Sequence, residues 1–391
     1  MNKFGFIRIA CASTRTVVAN PQANADEVIR VLQRLPDSDV VVFPELGLTG
    51  YTCADLFGQS ALLHAAARAA ARVALATRGR PGLVVVGLPV PVGNSLFNCA
   101  LALADGAMLG LVPKQFLPNY KEFYEGRWFS PGTGREPKEV ELAGRKVPFG
   151  TDLLFESAPV VVGVEICEDL WMPIPPSSSQ ALAGATVLLN LSASNETVGK
   201  SRYRADLVTG QSGRCIAAYA YSGAGPSEST TDLVFGGHCL IAENGRLLAE
   251  SRRVGDGRPV VRESYWVTCD VDVEKLAADR RGTSSFDDAP RSTAYRRLPF
   301  ALSTDMPGLQ RHVPGTPFVP REDAELHTRC AEVFGIQCAG LAKRVEQLPT
   351  GTALNIGISG GLDSTLALLV TVKTCDMLGL PRNQVHGLTM P

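Results

Sequence analysis

Short runs of β-branched and other apolar residues recur along the chain up to residue 290, with longer segments of helical spacing between them. Runs this apolar are typical of strands covered on both faces, and strands that alternate with helices indicate a layered α/β core. The strands are predicted over residues 40–43, 83–88, 160–166, 187–191, 215–219 and 265–271. The clearest helices are predicted over residues 26–35 and 62–77.

The composition changes after residue 290. Residues 291–320 are rich in proline and show little periodicity, which predicts a linker or an ordered strap that crosses a domain surface. Helix, strand, glycine turn, helix and strand patterns then follow over residues 322–347, 353–358, 363–378 and 384–390. Two domains are therefore predicted, 1–290 and 321–391. We expect the second to be incomplete, because it supplies a single βαβ unit.

Charge and composition exclude several classes of function. The formal net charge of −1 gives no reason to expect nucleic acid or an anionic membrane as a partner. No apolar run approaches the roughly 20 residues of a membrane span, and the N-terminus lacks a signal-peptide plan, so a cytoplasmic protein is expected. None of the ten cysteines falls in a C-x-x-C pair and the five histidines are scattered, so we expect no metal site and mostly buried free thiols.

Three polar residues stand where apolar runs end: Glu45 after VVVFP, Lys114 after LGLVP and Cys167 after VVVGVEI. Because ligands bind beyond strand ends in open α/β sheets, these segments could bring a carboxylate, an ammonium and a thiol together. Glu45 could then take the thiol proton of Cys167, while Lys114 and a backbone N–H stabilise the oxyanion of an attacked amide. Taken singly, Glu45 and Lys114 could instead form a structural ion pair, and Cys167 could be one more buried thiol.

Together the segments resemble the nitrilase, or carbon–nitrogen hydrolase, superfamily. The motifs that carry the resemblance are FPEL at 43–46, KQFLPNY at 114–120 and VEICEDLW at 164–171. The resemblance covers roughly the first 290 residues and implies a four-layered αββα sandwich. It also implies that Glu45 is the base, that Lys114 stabilises the oxyanion and the intermediate, and that Cys167 is a nucleophile which passes through a thioester.

The stretch NLSASNETVGK at 190–200 is similar to the glutamine-recognition segment of the glutamine-dependent NAD synthetases. This similarity implies that Ser194 and Lys200 contact the α-carboxylate end of glutamine and that Tyr120 helps to line the pocket. A cation suits a carboxylate, although Lys200 could equally be a solvated surface lysine. The segment SESTTDLV at 227–234 also resembles those enzymes, and the sequence suggests no role for it.

A second motif, IGISGGLDST at 356–365, joins a predicted strand to a predicted helix. Its glycines permit a tight turn, and a helix N-terminus binds phosphate oxygens, although an ordinary turn with Asp363 capping the helix has the same pattern. The motif resembles the pyrophosphate-binding loop of the ATP pyrophosphatase family, in a doubly wound parallel domain of the adenine nucleotide alpha hydrolase type. The resemblance implies that ATP is bound by Gly357, Ile358, Ser359, Gly360, Gly361, Leu362, Asp363 and Ser364.

A nitrilase-type amidase followed by SGGLDS is the arrangement of the glutamine-dependent NAD synthetases. It implies an ATP-dependent carbon–nitrogen ligase that hydrolyses glutamine and uses the ammonia to amidate nicotinic acid adenine dinucleotide to NAD. Magnesium would accompany ATP, no tightly bound cofactor is expected, and the family resemblance implies a homo-oligomer. The 391 residues alone are expected to be competent for glutamine hydrolysis but not for NAD synthesis. Two alternatives stay open: a free-standing amidase or nitrilase with a relic tail, and a non-catalytic binding module.

Overall fold

The computed structural model describes residues 5–230, 232–290, 294–303, 308–320 and 322–389. The chain divides into two compact units, Met1–Arg311 and His312–Pro391. Its strands, in chain order, are β1 (Phe6–Ser13), β2 (Val40–Val42), β3 (Leu83–Val92), β4 (Ser95–Ala104), β5 (Ala107–Pro113), β6 (Glu139–Leu142), β7 (Arg145–Pro148), β8 (Leu153–Ser157), β9 (Val160–Ile166), β10 (Val187–Ser192), β11 (Ala218–Gly223), β12 (Cys239–Glu243), β13 (Arg246–Glu250), β14 (Tyr265–Asp272), β15 (Arg296–Pro299), β16 (Leu354–Ile358) and β17 (Val385–Thr389).

The helices lie mostly between the strands. They are α1 (Pro21–Gln33), α2 (Ser60–Ala76), α3 (Pro176–Leu182), α4 (Lys200–Cys215), α5 (Val273–Gly282), α6 (Ser284–Asp287), α7 (Asp323–Val345) and α8 (Leu362–Leu378). Short 3₁₀ helices cover Ala54–Gly58, Glu125–Arg127, Cys167–Trp171 and Arg382–Gln384. No helix among the described residues is long and apolar enough to cross a membrane.

Four layers stack in the first unit. Helices α1 and α2 cover the outer face of one sheet, where Val28 and Ala70 share a core with Val41. The inner faces of the two sheets meet in a second core, which contains Val85 of one sheet and Val162 of the other. Helices α3 and α4 cover the outer face of the second sheet. This arrangement confirms the predicted αββα sandwich.

Each sheet of the sandwich contains three neighbouring parallel strands near its centre. Among the described residues, one sheet has the strand order β14-β1-β2-β3-β4-β5, and the other has the order β13-β12-β11-β10-β9-β8-β15. Strands β1, β2 and β3 run parallel to one another, as do β9, β10 and β11. Across the sandwich β9 packs against β4 and β5, and β10 packs against β2. The ends of β2, β5 and β9 are therefore close in space although they are distant in sequence.

One sequence prediction needs correction. The strand predicted over 215–219 lies at Ala218–Gly223, and Cys215 is the last residue of α4. Cys215, Ile216 and Ala217 continue the apolar run of the strand that follows them, so periodicity alone could not separate the helix end from the strand. For residues 291–320 the sequence left open a linker or an ordered strap, and part of that segment is ordered, because Arg296–Pro299 forms β15 and pairs parallel with β8. Residues 291–293 and 304–307 of that segment lie outside the described residues.

The second unit is one βαβ unit preceded by a helix. Strands β16 and β17 pair in parallel, with α8 connecting them. Helix α7 packs on α8, and the buried Cys338 of α7 accepts a hydrogen bond from Thr374 of α8 through its carbonyl oxygen at 3.3 Å. These elements lie where the sequence predicts them, except that residue 390 of the last predicted strand lies outside the described residues.

Candidate active site

Glu45 lies in the turn that follows β2, and this turn sits directly on β3. A Cβ atom at Gly87 of β3 would lie only 2.3 Å from the backbone nitrogen of Leu46, so glycine is required for the close approach. Leu46 itself has a φ of 51°, which turns the chain sharply after the glutamate. The turn buries Glu45, which is only 1% exposed.

The Glu45 carboxylate receives three hydrogen bonds. Lys114 Nζ and Asn98 Nδ2 donate to Oε1 at 2.6 and 2.7 Å, and the backbone N–H of Ala193 donates to Oε2 at 2.8 Å. The donors come from both sheets, since Asn98 lies on β4 and Ala193 follows β10. Glu45 is thus a buried acceptor whose orientation is fixed from both sides of the sandwich.

Lys114 follows β5 directly and has no exposed surface. Its Nζ lies 2.6 Å from Glu45 Oε1, and 2.7 and 2.9 Å from the two carboxylate oxygens of Glu125. Nothing in the sequence singles out Glu125. Its segment, KEFYEGRWF, also contains Glu122, so the sequence alone does not show which glutamate turns inward to the lysine.

Burial and neighbouring charges set the protonation of this pair. Burial disfavours the charged form of Lys114, but the carboxylates of Glu125 and Glu45 outweigh it and hold the lysine pKa well above its usual value. Burial raises the pKa of Glu125 to about 7, against the opposing effect of Lys114 and with a further contribution from Glu45. The lysine therefore remains an ammonium, while Glu125 titrates near neutral pH.

Cys167 stands at the end of β9 in a left-handed conformation, with a φ of 45°, and begins a short 3₁₀ helix. Such a φ is uncommon outside glycine and asparagine and is found at sharply turned functional positions. Asp169 holds the turn: its Oδ2 accepts from the N–H of Ile166 at 2.9 Å, and its Oδ1 accepts from the N–H groups of Gln115 and Phe116 at 3.1 and 2.9 Å. Asp169 thus ties the cysteine turn to the segment after Lys114.

The Cys167 thiol is 6% exposed, and burial raises its pKa to about 12. The charge of Glu45 raises the pKa further, whereas Lys114 and a hydrogen bond with Ser192 oppose the shift. A resting thiolate is therefore absent at neutral pH. The thiol can react as a nucleophile only if a base such as Glu45 takes its proton during the attack.

A cavity of about 500 Å³ opens at the cysteine. It brings Cys167 together with Tyr120, Ser194 and Lys200, whereas Glu45 and Lys114 are buried and do not line it. The cavity is lined by Pro118, Tyr120, Lys121, Glu122, Phe123, Cys167, Glu168, Trp171, Ser194, Thr197, Val198, Gly199, Lys200 and Tyr203. It is large enough for an amino acid and contains charged groups of both signs.

Lys200 is the first residue of α4 and points between aromatic rings. Its Nζ lies 5.5 Å from the ring centroid of Phe123 and 5.4 Å from that of Trp171, and it donates a hydrogen bond to Asn195 Oδ1. Burial lowers its pKa. Lys200 is therefore a half-buried cation in a cavity, and the alternative of a solvated surface lysine does not describe it.

Ser194 is held by Arg204, a buried residue that sequence reasoning missed. Arg204 Nη2 donates to Ser194 Oγ at 3.3 Å and to the Asn195 carbonyl at 3.2 Å, and Nη1 donates to Glu196 Oε1 at 2.8 Å. The guanidinium thereby fixes the loop over residues 194–196. Tyr120 is half-exposed at the other wall, where its hydroxyl donates to Glu168 at 2.8 Å.

The glycine loop of the second unit is open and exposed. Gly360 has a φ of 82°, and a Cβ atom there would meet no atom within 4 Å, so the backbone conformation rather than crowding calls for glycine. Ser359 Oγ and Ser364 Oγ lie 3.2 Å apart, beside the first turn of α8. Gly361, not Asp363, is the N-cap of that helix. All eight predicted loop residues therefore form one strand–turn–helix junction.

No group of three or more histidine, cysteine, aspartate or glutamate residues in the described parts of the chain could hold a metal ion.

The αββα sandwich, with a buried carboxylate, lysine and thiol at its strand ends, is the architecture of the nitrilase-like class of proteins. A model of the carbon-nitrogen hydrolase family matches residues 8–281, and the chain belongs to that family. The glutamine-dependent NAD(+) synthetase of Mycobacterium bovis is 42% identical over 401 aligned positions, covering 99% of this chain and 58% of the relative. The protein of that name from Mycobacterium leprae is 39% identical, with the same shares covered. The chain spans 58% of the length of these relatives.

Solved structures agree on the fold. A glutamine-dependent NAD(+) synthetase from Cytophaga hutchinsonii matches with a TM-score of 0.60 and 22% identity, covering 95% of this chain and 52% of that chain. A mutant amidase of the nitrilase superfamily from Nesterenkonia AN1 matches with a TM-score of 0.55 and 19% identity, covering 73% of this chain and 98% of that chain. At these identities the structural matches show a shared fold.

Proposed function

We propose that the first unit hydrolyses the side-chain amide of glutamine and that the chain is part of a glutamine-dependent NAD synthetase. The observation that carries this proposal is the position of Cys167. It interacts electrostatically with the buried Glu45–Lys114 pair and opens into a cavity with a half-buried cation. The sequence similarity to the mycobacterial synthetases, over 99% of this chain, supports the same assignment.

The proposed reaction begins with transfer of the Cys167 proton to Glu45 as the sulfur attacks the amide carbon of glutamine. The oxyanion is stabilised by Lys114, whose side chain has no exposed surface and is held in place by Glu45 and Glu125. When the carbon–nitrogen bond breaks, Glu45 returns the proton to the leaving nitrogen, and ammonia departs from a thioester. Water then attacks the thioester with Glu45 as the base, which releases glutamate and restores the thiol.

Glutamine suits the cavity because an α-amino acid carries one charge of each sign. Lys200 and Ser194 lie on one wall and can bind the α-carboxylate, and Tyr120 can close the site beside them. Glu168 lies in the same cavity and can bind the α-ammonium group, with Tyr120 already donating to it. A simple aliphatic amide has neither the α-carboxylate nor the α-ammonium group and would make neither of these charged contacts.

For the second unit we propose binding of ATP phosphates at the loop over residues 357–364, with magnesium as a companion of ATP. The serine hydroxyls and the N-terminus of α8 support this assignment, since both donate hydrogen bonds to phosphate oxygens. The proposed whole reaction adenylates nicotinic acid adenine dinucleotide and amidates it with ammonia to form NAD. Self-association is part of the same proposal and rests on the family.

Covalent labelling tests the proposed glutaminase. The protein is incubated with a diazoketone analogue of glutamine, and the modified peptide is identified by mass spectrometry. An adduct on Cys167 that excess glutamine prevents is expected. No adduct would favour a non-catalytic binding module, and equal protection by simple aliphatic amides would favour a free-standing amidase.

Lys200→Met is expected to raise the KM for glutamine by about 10- to 100-fold and to change kcat by less than about threefold. The α-carboxylate of glutamine is remote from the bond that breaks. Losing its contact with Lys200 therefore weakens binding of the ground state and of the transition state alike. Steady-state glutamine hydrolysis measures both constants. The matched control is Arg202→Met, which removes a charge from the same turn of α4 but outside the cavity lining. A fall in kcat with an unchanged KM would contradict the binding role.

Hydrolysis is expected to fall as the pH drops through about 7, because burial raises the pKa of Glu125 to about 7. A neutral carboxyl group holds Lys114 less firmly than the carboxylate, so the catalytic cation loses its second anchor. The value of kcat measured from about pH 5 to about pH 9 should therefore show an acid limb. The limb should vanish in Glu125→Gln, whose rate is uniformly low. A wild-type profile that stays flat to about pH 5 would show that Glu125 does not act in this way.

A further inference from the structure

The segment SESTTDLV at 227–234 contains a buried carboxylate with an unexpected set of partners. Glu228 is only 5% exposed and lies outside the Glu45–Lys114–Glu125 cluster. Its Oε2 accepts from the backbone N–H of Tyr51 at 2.9 Å, and its Oε1 accepts from the Thr52 hydroxyl at 2.5 Å. Both partners lie in the turn over residues 50–52, about 180 positions earlier in the chain.

That turn is packed directly against the carboxylate. Gly50 has a φ of 88°, and a Cβ atom there would lie 3.1 Å from Glu228 Oε1. A side chain at residue 50 would push the turn away from the Glu228 carboxylate. The carboxylate therefore takes the place of backbone partners and determines where the next residue, Tyr51, is held.

Tyr51 leads from the turn into the active site. Its buried hydroxyl donates to Glu125 Oε1 at 2.8 Å, and its ring packs edge-on against Phe235 with the centroids 5.8 Å apart. Glu125 in turn binds Lys114 with both carboxylate oxygens. A continuous series of hydrogen bonds therefore runs from Glu228 through Tyr51 to the buried lysine.

We propose that Glu228 is a positioning residue for the amidase reaction, which acts through Tyr51 to keep Glu125 ionised and directed at Lys114. The proposal rests on the function proposed above for Lys114 and Cys167. It gives the segment over residues 227–234 a role that its sequence alone does not suggest.

The charged and titratable groups that face Glu125 are Lys114, Glu45, Tyr51 and, through the lysine, Cys167. Among them only Lys114 and Tyr51 donate hydrogen bonds to it. Burial and the nearby Glu125 charge hold the pKa of Tyr51 well above its usual value, so the phenol stays a donor. A donor favours the ionised carboxylate, and its removal must raise the pKa of Glu125.

The test compares Tyr51→Phe, Glu228→Gln and the double variant with wild type. The control is Ser227→Ala, whose hydroxyl accepts from the backbone N–H of Thr16 and does not contact the turn over residues 50–52. Tyr51→Phe is expected to lower kcat about tenfold and to leave KM within about twofold. It should move the acid limb of the profile up by about one pH unit. Glu228→Gln should act in the same direction, and the double variant should be no worse than Tyr51→Phe, because both changes break one series of contacts.

A second measurement does not depend on the substrate. The rate at which iodoacetamide alkylates Cys167, followed on its own peptide by mass spectrometry, should show an inflection against pH from the ionisation of Glu125. This inflection should move to higher pH in Tyr51→Phe and Glu228→Gln and stay in place in Ser227→Ala.

Failure of the proposed glutaminase function and failure of the positioning role give different results. If the inflection moves in the variants as expected but wild type does not hydrolyse glutamine, the proposed substrate is overturned and the positioning role is kept. Additive losses in the double variant would overturn the proposal that Glu228 acts through Tyr51. The proposal as a whole is also overturned by an alkylation profile without the inflection, or by one that Tyr51→Phe and Glu228→Gln leave in place.

Discussion

Replacing Cys167 with alanine is expected to lower glutamine hydrolysis by about 10⁴-fold or more while the fold stays intact. The thiol is the nucleophile of the proposed reaction, and the other groups of the cluster, Glu45, Lys114 and Glu125, hold or move charge and cannot form the thioester. Alanine tolerates the same left-handed backbone about as well as cysteine does, and the side chain lost is small. Ammonia release at saturating glutamine measures the effect.

Cys215→Ala is the matched control for the loss of a buried thiol. Cys215 ends α4, is as buried as Cys167, and lies outside the cavity that contains the cysteine of the proposed site. Its replacement should leave hydrolysis within about twofold of wild type, since it removes a little packing and the sulfur contacts with Gln211 and Ser177, none of which line that cavity. If Cys167→Ala kept a tenth of wild-type activity, another residue would be the nucleophile.

Much of the site could be predicted because its key residues stand at the ends of apolar runs. Glu45 and Cys167 each come within a few residues of a central parallel strand, and Lys114 follows β5. Run ends are local features that a sequence displays directly. The structure brings these three ends together because β9 packs on β5, and β10 on β2. The fold prediction is confirmed for the same reason, since alternating strands and helices leave few layered arrangements.

The residues that sequence reasoning missed are charged side chains on two short 3₁₀ helices and on α4, and their roles depend on distant partners. Glu125 binds Lys114, Asp169 holds Gln115 and Phe116, and Arg204 holds the loop at 194–196. Each lies among other residues of the same charge, and burial alone distinguishes it. Burial of such a charge is set by tertiary packing, which periodicity does not report.

The same limit explains the misplaced strand at 215–219. Cys215 is buried because the last turn of α4 packs on the sheet, not because it lies in the sheet. Ile216 has a φ of 44° and ends the helix, a conformation that its β-branched side chain does not suggest. The apolar run therefore spans a helix end, a turn and a strand start.

Lys114→Met is expected to abolish hydrolysis and to lower the free energy of unfolding by about 3–5 kcal/mol. Methionine keeps most of the apolar stem but removes the cation that joins the carboxylates of Glu45 and Glu125, both almost fully buried. The two negative charges would then lie close together with no positive charge between them. The loss of unfolding free energy should be greater at high pH, because the pKa of Glu125 is raised in the folded protein. A carboxyl group with a raised pKa makes the folded state less stable as the pH rises through that pKa.

The double variant Lys114→Met/Glu125→Gln separates the structural role of the lysine from its chemical one. Removing one of the two unpaired carboxylates should restore about half of the lost free energy of unfolding, since a neutral amide can remain buried beside Glu45 and the Tyr51 hydroxyl. Hydrolysis should stay lost, because no cation remains to stabilise the oxyanion. Denaturant unfolding at two pH values, together with ammonia release, measures both effects.

Recovery of hydrolysis along with stability would show that Lys114 only holds the fold. Stability that is unchanged in Lys114→Met would show that the buried carboxylates find other partners.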